Sequence, residues 1–149
     1  MRRVIVVQAR MTSKRLPGKV LADVAGRPML AQQLRRLAGC RLADELVVAT
    51  TDNATDDPVV AIARAAGARW FRGSERDVLE RYVGAARDAK ADVVVRITAD
   101  CPLIDPDVSD RVIDALVGPA RWDYASNVAP RTYPRGLDTE ALFVDTRDR

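Results

Sequence analysis

Four short, mainly apolar runs punctuate the chain: Val4–Val7, Leu46–Ala49, Ala68–Phe71 and Val93–Ile97. A continuous apolar run of that length reads as a strand covered on both faces. Between the runs, apolar positions recur at helical spacing. Leu30, Leu34 and Leu37 repeat at i, i+4 and i+7 behind Pro28, with Gly39 as the stop. Asp57-Pro58 reads as the cap and first-turn proline of a second helix that ends at Gly67. Val78, Leu79, Tyr82, Val83 and Ala86 make one face of a third helix, capped by Ser74. Asp105-Pro106 opens a fourth, with Val108, Val112, Ile113 and Leu116 on one face. The order β-α-β-α-β-α-β-α-β predicts an α/β fold, a mostly parallel sheet between helices. Beyond Tyr124 the alternation ends, and residues 127–140, rich in Pro, Arg and Gly, read as an extended loop or arm.

In an open sheet of this kind, ligands bind outside the carboxyl ends of the strands. That directs the search to four loops: Gln8–Lys19, Thr50–Asp56, Arg72–Asp77 and Thr98–Asp105.

Composition narrows the chemistry. The 149 residues are 48% apolar and 30% charged, a globular profile of about one domain. No apolar run approaches a membrane span, and Val4–Val7 is too short for a signal-peptide core. Cys40 and Cys101 form neither a metal-ligand spacing nor a disulfide framework, which points to a reducing cytoplasm. The absence of histidine removes Ser-His-Asp and Cys-His catalysis and the common zinc hydrolase sites.

The net charge of +3 hides an asymmetry. Residues 1–41 carry ten Lys or Arg against one acid, Asp23, whereas residues 42–149 are net acidic. Much of the excess falls in the first loop, where Arg10, Lys14, Arg15 and Lys19 face no acid. Arg forks, a Lys point charge and free backbone N–H groups are what hold a polyanion, and Gly18 permits close backbone approach. Such a loop suits a nucleoside triphosphate better than a duplex, and it carries no aromatic stacking residue for nucleic acid. It is not a Walker A loop, because Val20 follows Gly18-Lys19 and Ser13 stands where that motif has glycine. The plainer reading is a solvated basic loop. In the fourth loop, Asp100 lies two residues past an apolar strand, where a carboxylate can hold Mg²⁺ against phosphates; its plainer reading is a turn aspartate. Asp105 reads as a helix cap and Cys101 as a small buried thiol. Ser74 and Asp77 have capping-box spacing, while the functional reading gives Gly73 and Ser74 contacts to a nucleobase. Thr51 and Asp52 are weaker candidates, read as turn and wall.

Together these segments carry a resemblance. Gln8-Ala9-Arg10, Ser13, Arg15-Leu16-Pro17-Gly18-Lys19-Val20-Leu21 and then Gly26-Arg27-Pro28-Met29-Leu30 resemble the opening of the cytidylyltransferases that activate sugars as CMP conjugates. Arg72-Gly73-Ser74-Glu75, Asp77-Val78-Leu79, Arg81-Tyr82 and Arg96 through Asp105 look like the spore coat polysaccharide biosynthesis protein F branch. So does the arm, from Tyr124-Ala125-Ser126-Asn127 to Tyr133-Pro134-Arg135-Gly136-Leu137-Asp138-Thr139-Glu140.

The resemblance implies a Rossmann-like nucleotide-diphospho-sugar transferase fold and a single nucleotidyltransferase domain over residues 1–149, the N-terminal portion of a longer family member. It implies transfer of CMP from CTP to a sugar with release of pyrophosphate, in polysaccharide or cell-surface glycan biosynthesis. Arg15, Lys19 and Asp100 would be catalytic, with Asp100 holding Mg²⁺. Gln8, Ala9, Arg10, Ser13, Arg15, Gly18, Lys19, Gly73 and Ser74 would bind the nucleotide. Arg135 and Asp138 would lie on the acceptor side. The expected partners are CTP, a sugar acceptor and a second copy in a homodimer, with no nucleic acid and no membrane. The resembled family supplies a second metal-binding aspartate late in the chain; Asp145 follows Thr139-Glu140 too soon to take that role. The expectation is therefore a chain that binds CTP with Mg²⁺ but transfers poorly. The alternative reading is a nucleotide-binding module without turnover.

Overall fold

The computed structural model describes residues 1–120 and 122–145; Arg121 and residues 146–149 of the expected 1–149 domain lie outside the described residues. Among the described residues, no helix is long and apolar enough to cross a membrane.

The four expected strands form, as β1 (Arg3–Gln8), β4 (Glu45–Thr51), β5 (Arg69–Gly73) and β6 (Val93–Thr98). The expected helices form as α1 (Met29–Leu37), α2 (Asp57–Ala65), α3 (Val78–Asp88) and α4 (Pro106–Val117). Three further pairings involve strands outside the four apolar runs, and the expected order announces only one of those strands, the one after α4. A two-residue hairpin, β2 (Asp23–Val24) with β3 (Arg27–Pro28), turns through Ala25 and Gly26, both at positive φ. The presumed arm returns to the sheet: β8 (Glu140–Phe143) pairs antiparallel with β6, and β7 (Tyr124–Ser126) pairs antiparallel with β8.

The sheet order is β5-β4-β1-β6-β8-β7, with β5, β4, β1 and β6 parallel. Successive connections run from β1 outward to β4 and β5, then cross to β6 on the other side of β1. Direction therefore reverses between β1 and β6, which is where such sheets open a ligand crevice.

The apolar runs are covered on both faces. Val4, Val6 and Val47 pack with α3 through Tyr82, Ala85 and Ala86, and Ile5, Val7 and Val95 pack into the larger core with Leu30, Leu34, Val59 and Ile113. One face thus has α1, α2 and α4, and the other has α3 alone. Helix α3 does not reach across β8 and β7, so an open apolar groove of about 660 Å³ remains beside it. Leu79, expected on the inner face of α3, is 73% exposed on that groove's rim.

Two caps differ from expectation. Asp77, not Ser74, caps α3, its carboxylate accepting the Glu80 N–H at 2.8 Å. Ser74 acts one turn earlier, its hydroxyl accepting the Asp77 N–H at 3.1 Å. Asp57 is the first residue of α2, and the N-cap position belongs to Asp56, whose side chain turns inward instead of capping. Asp105 caps α4 as expected, accepting from Asp107 and Val108.

Asp110 of α4 is 6% exposed and accepts the N–H groups of Arg41 at 2.9 Å and Leu42 at 3.0 Å, tying the α1–β4 connection to α4. Asp110→Ala leaves both donors short of a partner, a loss of roughly 1–3 kcal/mol. Urea unfolding should show a lower midpoint at unchanged slope; an unmoved midpoint would show that water replaces the carboxylate.

Candidate functional site

At the reversal between β1 and β6 lies a cavity of about 270 Å³. The segment after β1 lines it with Gln8, Ala9, Arg10, Ser13, Lys14, Arg15 and Lys19, and the end of β6 adds Thr98, Ala99 and Asp100. Four cations thus face one pocket, with a carboxylate across from them.

The loop holding these cations has a defined shape. The N–H groups of Gly18 and Ser13 both donate to the Met11 carbonyl at 2.9 Å, closing the loop on itself. Gly18 sits at φ +69°, a conformation that suits glycine. Ser13 accepts weakly from the Leu16 N–H at 3.5 Å, so its hydroxyl is largely available to the pocket. After Gly18 the chain enters a short turn, Lys19–Leu21, which buries Val20 and turns Lys19 toward β6.

Lys19 Nζ lies 3.1 Å from Asp100 Oδ2, and Asp100 Oδ1 accepts the Thr98 hydroxyl at 2.6 Å. Burial pushes the Asp100 carboxyl up, but the Thr98 and Lys19 hydrogen bonds and the Lys19 charge outweigh it and hold the carboxyl below its usual range. Asp100 is therefore ionised at neutral pH. No cluster of three or more metal-ligating side chains occurs among the described residues. One ionised carboxylate still fits Mg²⁺, an ion that keeps several waters and takes further ligands from substrate phosphates. Cys101 is buried, and burial pushes its thiol up, against any nucleophilic role.

Gly73 and Ser74 do not line this cavity. Gly73 ends β5 against Phe71 and Arg81, and the Ser74 carbonyl accepts from Arg81 Nη1 at 2.7 Å. Arg135 is exposed, and Asp138 pairs with Arg131 through both carboxylate oxygens. Asp138 nevertheless lies close enough to feel the charge of Asp100. The base of the arm is closed by Asn127, whose amide donates to the Leu137 carbonyl at 2.7 Å and accepts the Thr139 N–H at 2.9 Å.

Three buried polar residues that support the site are not among the candidate site residues of the sequence. Gln33 of α1 is fully buried; its amide donates to the Thr98 carbonyl at 2.7 Å and accepts the Cys101 N–H at 3.3 Å, bracketing Asp100. Its signal was available: a glutamine on the apolar stripe of Leu30, Leu34 and Leu37. Asp56, also fully buried, accepts the Met11 N–H at 2.7 Å, the Thr51 N–H at 3.2 Å and the Thr51 hydroxyl. Thr51, expected at a turn, is thus buried within this network. Arg81 is fully buried beneath the third loop, and burial pushes its guanidinium pKa down.

Comparison with known proteins supplies a frame for this geometry. Residues 4–147 match the family described as Cytidylyltransferase. The chain is 40% identical over 114 residues to Spore coat polysaccharide biosynthesis protein SpsF of Bacillus subtilis (strain 168), covering 74% of this chain and 48% of that protein. It is 38% identical over 120 residues to the 3-deoxy-manno-octulosonate cytidylyltransferase of Anaeromyxobacter dehalogenans (strain 2CP-C), covering 78% and 48%. The solved structure of a cytidylyltransferase from Leptospira borgpetersenii serovar Hardjo-bovis (strain JB197) superposes with a TM-score of 0.92 at 38% identity, over 97% of this chain and 61% of that one. The chain spans about half the length of these two curated relatives.

Proposed function

This chain belongs to the cytidylyltransferase family, and from that membership we propose that it transfers CMP from CTP to a sugar hydroxyl with release of pyrophosphate, in glycan biosynthesis. The observation that carries the proposal is the pocket between β1 and β6, where Arg10, Lys14, Arg15 and Lys19 face Asp100. In this reading the sugar oxygen forms a bond to the α-phosphorus as its hydroxyl proton passes to water, the bond to the bridging oxygen breaks, and pyrophosphate leaves with that electron pair. Such transfer depends on positioning and charge stabilisation more than on covalent chemistry. Arg15 and Lys19 neutralise the leaving pyrophosphate, while Arg10, Ser13 and the Gly18 backbone hold the remaining phosphate oxygens. Gln8 and Ala9, at the end of β1, meet the base from one side, and the loop of Gly73 and Ser74 meets it from the other.

Mg²⁺ is part of the proposal: when bound, it screens charge on the phosphates. Asp100 would hold it, and Gln33 keeps the Asp100 loop in place. The acceptor side is assigned to Arg135 and Asp138, on the arm whose carboxylate senses Asp100. A homodimer belongs to the same proposal, supported by the open apolar groove beside α3. The single carboxylate at the pocket also favours a second reading, CTP binding without turnover. Pyrophosphate release from CTP with a panel of sugars separates the two.

Asp100→Asn tests the metal assignment. It keeps the shape and the Thr98 contact but removes the charge. Calorimetry should show that Mg²⁺ no longer strengthens CTP binding, a loss of roughly tenfold or more. Without Mg²⁺ the variant should bind CTP at least as tightly as the wild type, because one negative charge near the phosphates is gone. Full Mg²⁺ stimulation in the variant would remove Asp100 from the metal site.

A further inference from the structure

Glu75 stands in the third loop, yet its carboxylate reaches two others. Oε1 accepts the hydroxyl of Thr12, in the loop after β1. Oε2 accepts the side-chain amide of Asn53, in the loop after β4, at 2.7 Å. Arg10 Nη1 stands 4.0 Å from Oε1. The two hydrogen bonds hold the carboxyl below its ordinary range, so it is charged at neutral pH. One side chain therefore joins the loop that presents the four cations, the loop at the end of β4, and the loop that carries Gly73 and Ser74.

Resting on the nucleotide reading above, we propose that Glu75 is a positioning residue that fixes the spacing between the triphosphate pocket and the base-side loop. A nucleotide is a covalently linked pair of ligands, a polyanion and a base. Gripping one end makes the second contact intramolecular, and its gain depends on how well the protein's two half-sites match that span. The cation-bearing loop and the Gly73–Ser74 loop spring from β1 and β5, strands that are not neighbours, with β4 between them. Backbone pairing between the two strands is therefore indirect, and the Glu75 carboxylate supplies a direct tie across the gap. Asn53 lies on the intervening loop, so the tie spans all three strands.

The competing role is electrostatic only. A carboxylate beside Arg10 offsets part of the loop's positive charge and so opposes anion binding. The two roles predict opposite signs, because removing a mere counter-charge tightens every anionic ligand.

The experiment measures wild type, Glu75→Ala, Glu75→Gln and Asn53→Ala by calorimetry against CTP, cytidine and inorganic tripolyphosphate. For Glu75→Ala the expected result is CTP affinity weaker by about tenfold or more. Cytidine should stay within about threefold, and tripolyphosphate should be unchanged or tighter. Asn53→Ala, which removes one arm of the tie, should show the same pattern at smaller size. Glu75→Gln, which keeps an acceptor but no charge, should fall between. CTP that tightens together with tripolyphosphate, or that weakens no more than cytidine does, overturns the proposal.

Amide exchange in the free protein decides the tie without any nucleotide. In Glu75→Ala, the Ser13 and Gly18 amides should exchange about tenfold faster or more, while β1 amides hold their protection. Unchanged loop exchange overturns the tie. A wild-type protein that binds no CTP, but whose loop loosens in Glu75→Ala, would sink the nucleotide reading and leave the tie standing.

Discussion

Asp56→Ala should lower the thermal midpoint by about 6–20 °C. The Asp56 carboxylate is fully buried and accepts from three donors: the Met11 N–H, the Thr51 N–H and the Thr51 hydroxyl. Alanine leaves all three without that acceptor, and each unsatisfied buried donor costs roughly 1–3 kcal/mol. The buried Arg81 cation, which also senses Asp56, loses part of its compensation. A combined loss of about 3–5 kcal/mol is reasonable, since water entering the vacated space recovers some of it. At ~2–4 °C per kcal/mol for a chain of this size, the midpoint moves by the stated amount. Asp56→Asn should lie between, because its carbonyl still accepts from Met11 while its amide faces the Thr51 N–H. Calorimetric scanning checks both variants; a shift under about 2 °C for the alanine form would show that the network contributes little.

Lys19→Ala should weaken CTP by about ten- to more than a hundredfold while leaving cytidine nearly unaffected. A charge-assisted contact is worth roughly 1.5–3 kcal/mol, and only CTP carries the phosphates that Lys19 is proposed to hold. The observed partner of Lys19 sharpens the expectation. Its ammonium lies 3.1 Å from Asp100, so its removal also frees an acid to repel the triphosphate. Added Mg²⁺ should therefore recover more of the lost affinity in the variant than it adds in the wild type. Titration of each ligand with and without Mg²⁺ provides the check, and equal losses for CTP and cytidine would mean that Lys19 acts through the fold.

The parallel half of the fold was legible because its strands are buried on both sides and its helices carry an apolar stripe. Val4–Val7 and the Leu30, Leu34, Leu37 stripe needed no tertiary knowledge. The antiparallel end was not. Glu140–Phe143 follows an arm rich in Pro, Arg and Gly, and its four residues show no helical or strand pattern strong enough to stand out. Its strand identity comes from pairing with β6, a partner distant in sequence. The cations and Asp100 were legible as a group because charged residues clustered just past apolar strands, and the fold brings them to one pocket. The residues that hold those loops were not. Asp56 appeared only as the end of the second loop, and Glu75 only as a residue within the third. Their roles are contacts between loops, which spacing along one segment does not encode.

The position of β1 has a consequence for how the chain acquires its pocket. Val4 pairs on one side with Glu45 and on the other with Val94. Of the four parallel strands, β1 is the earliest in the chain and lies inside the array, so it cannot be enclosed until β6 has emerged. Pairings between residues so far apart are slow to form, since loop closure precedes any reward. The chain must keep Val4–Val7 from premature association during that interval. Both walls of the pocket, at the ends of β1 and β6, also come together only when these two strands pair. Ligand affinity appearing during refolding would therefore time the closure of the sheet, and should lag behind the appearance of helical signal.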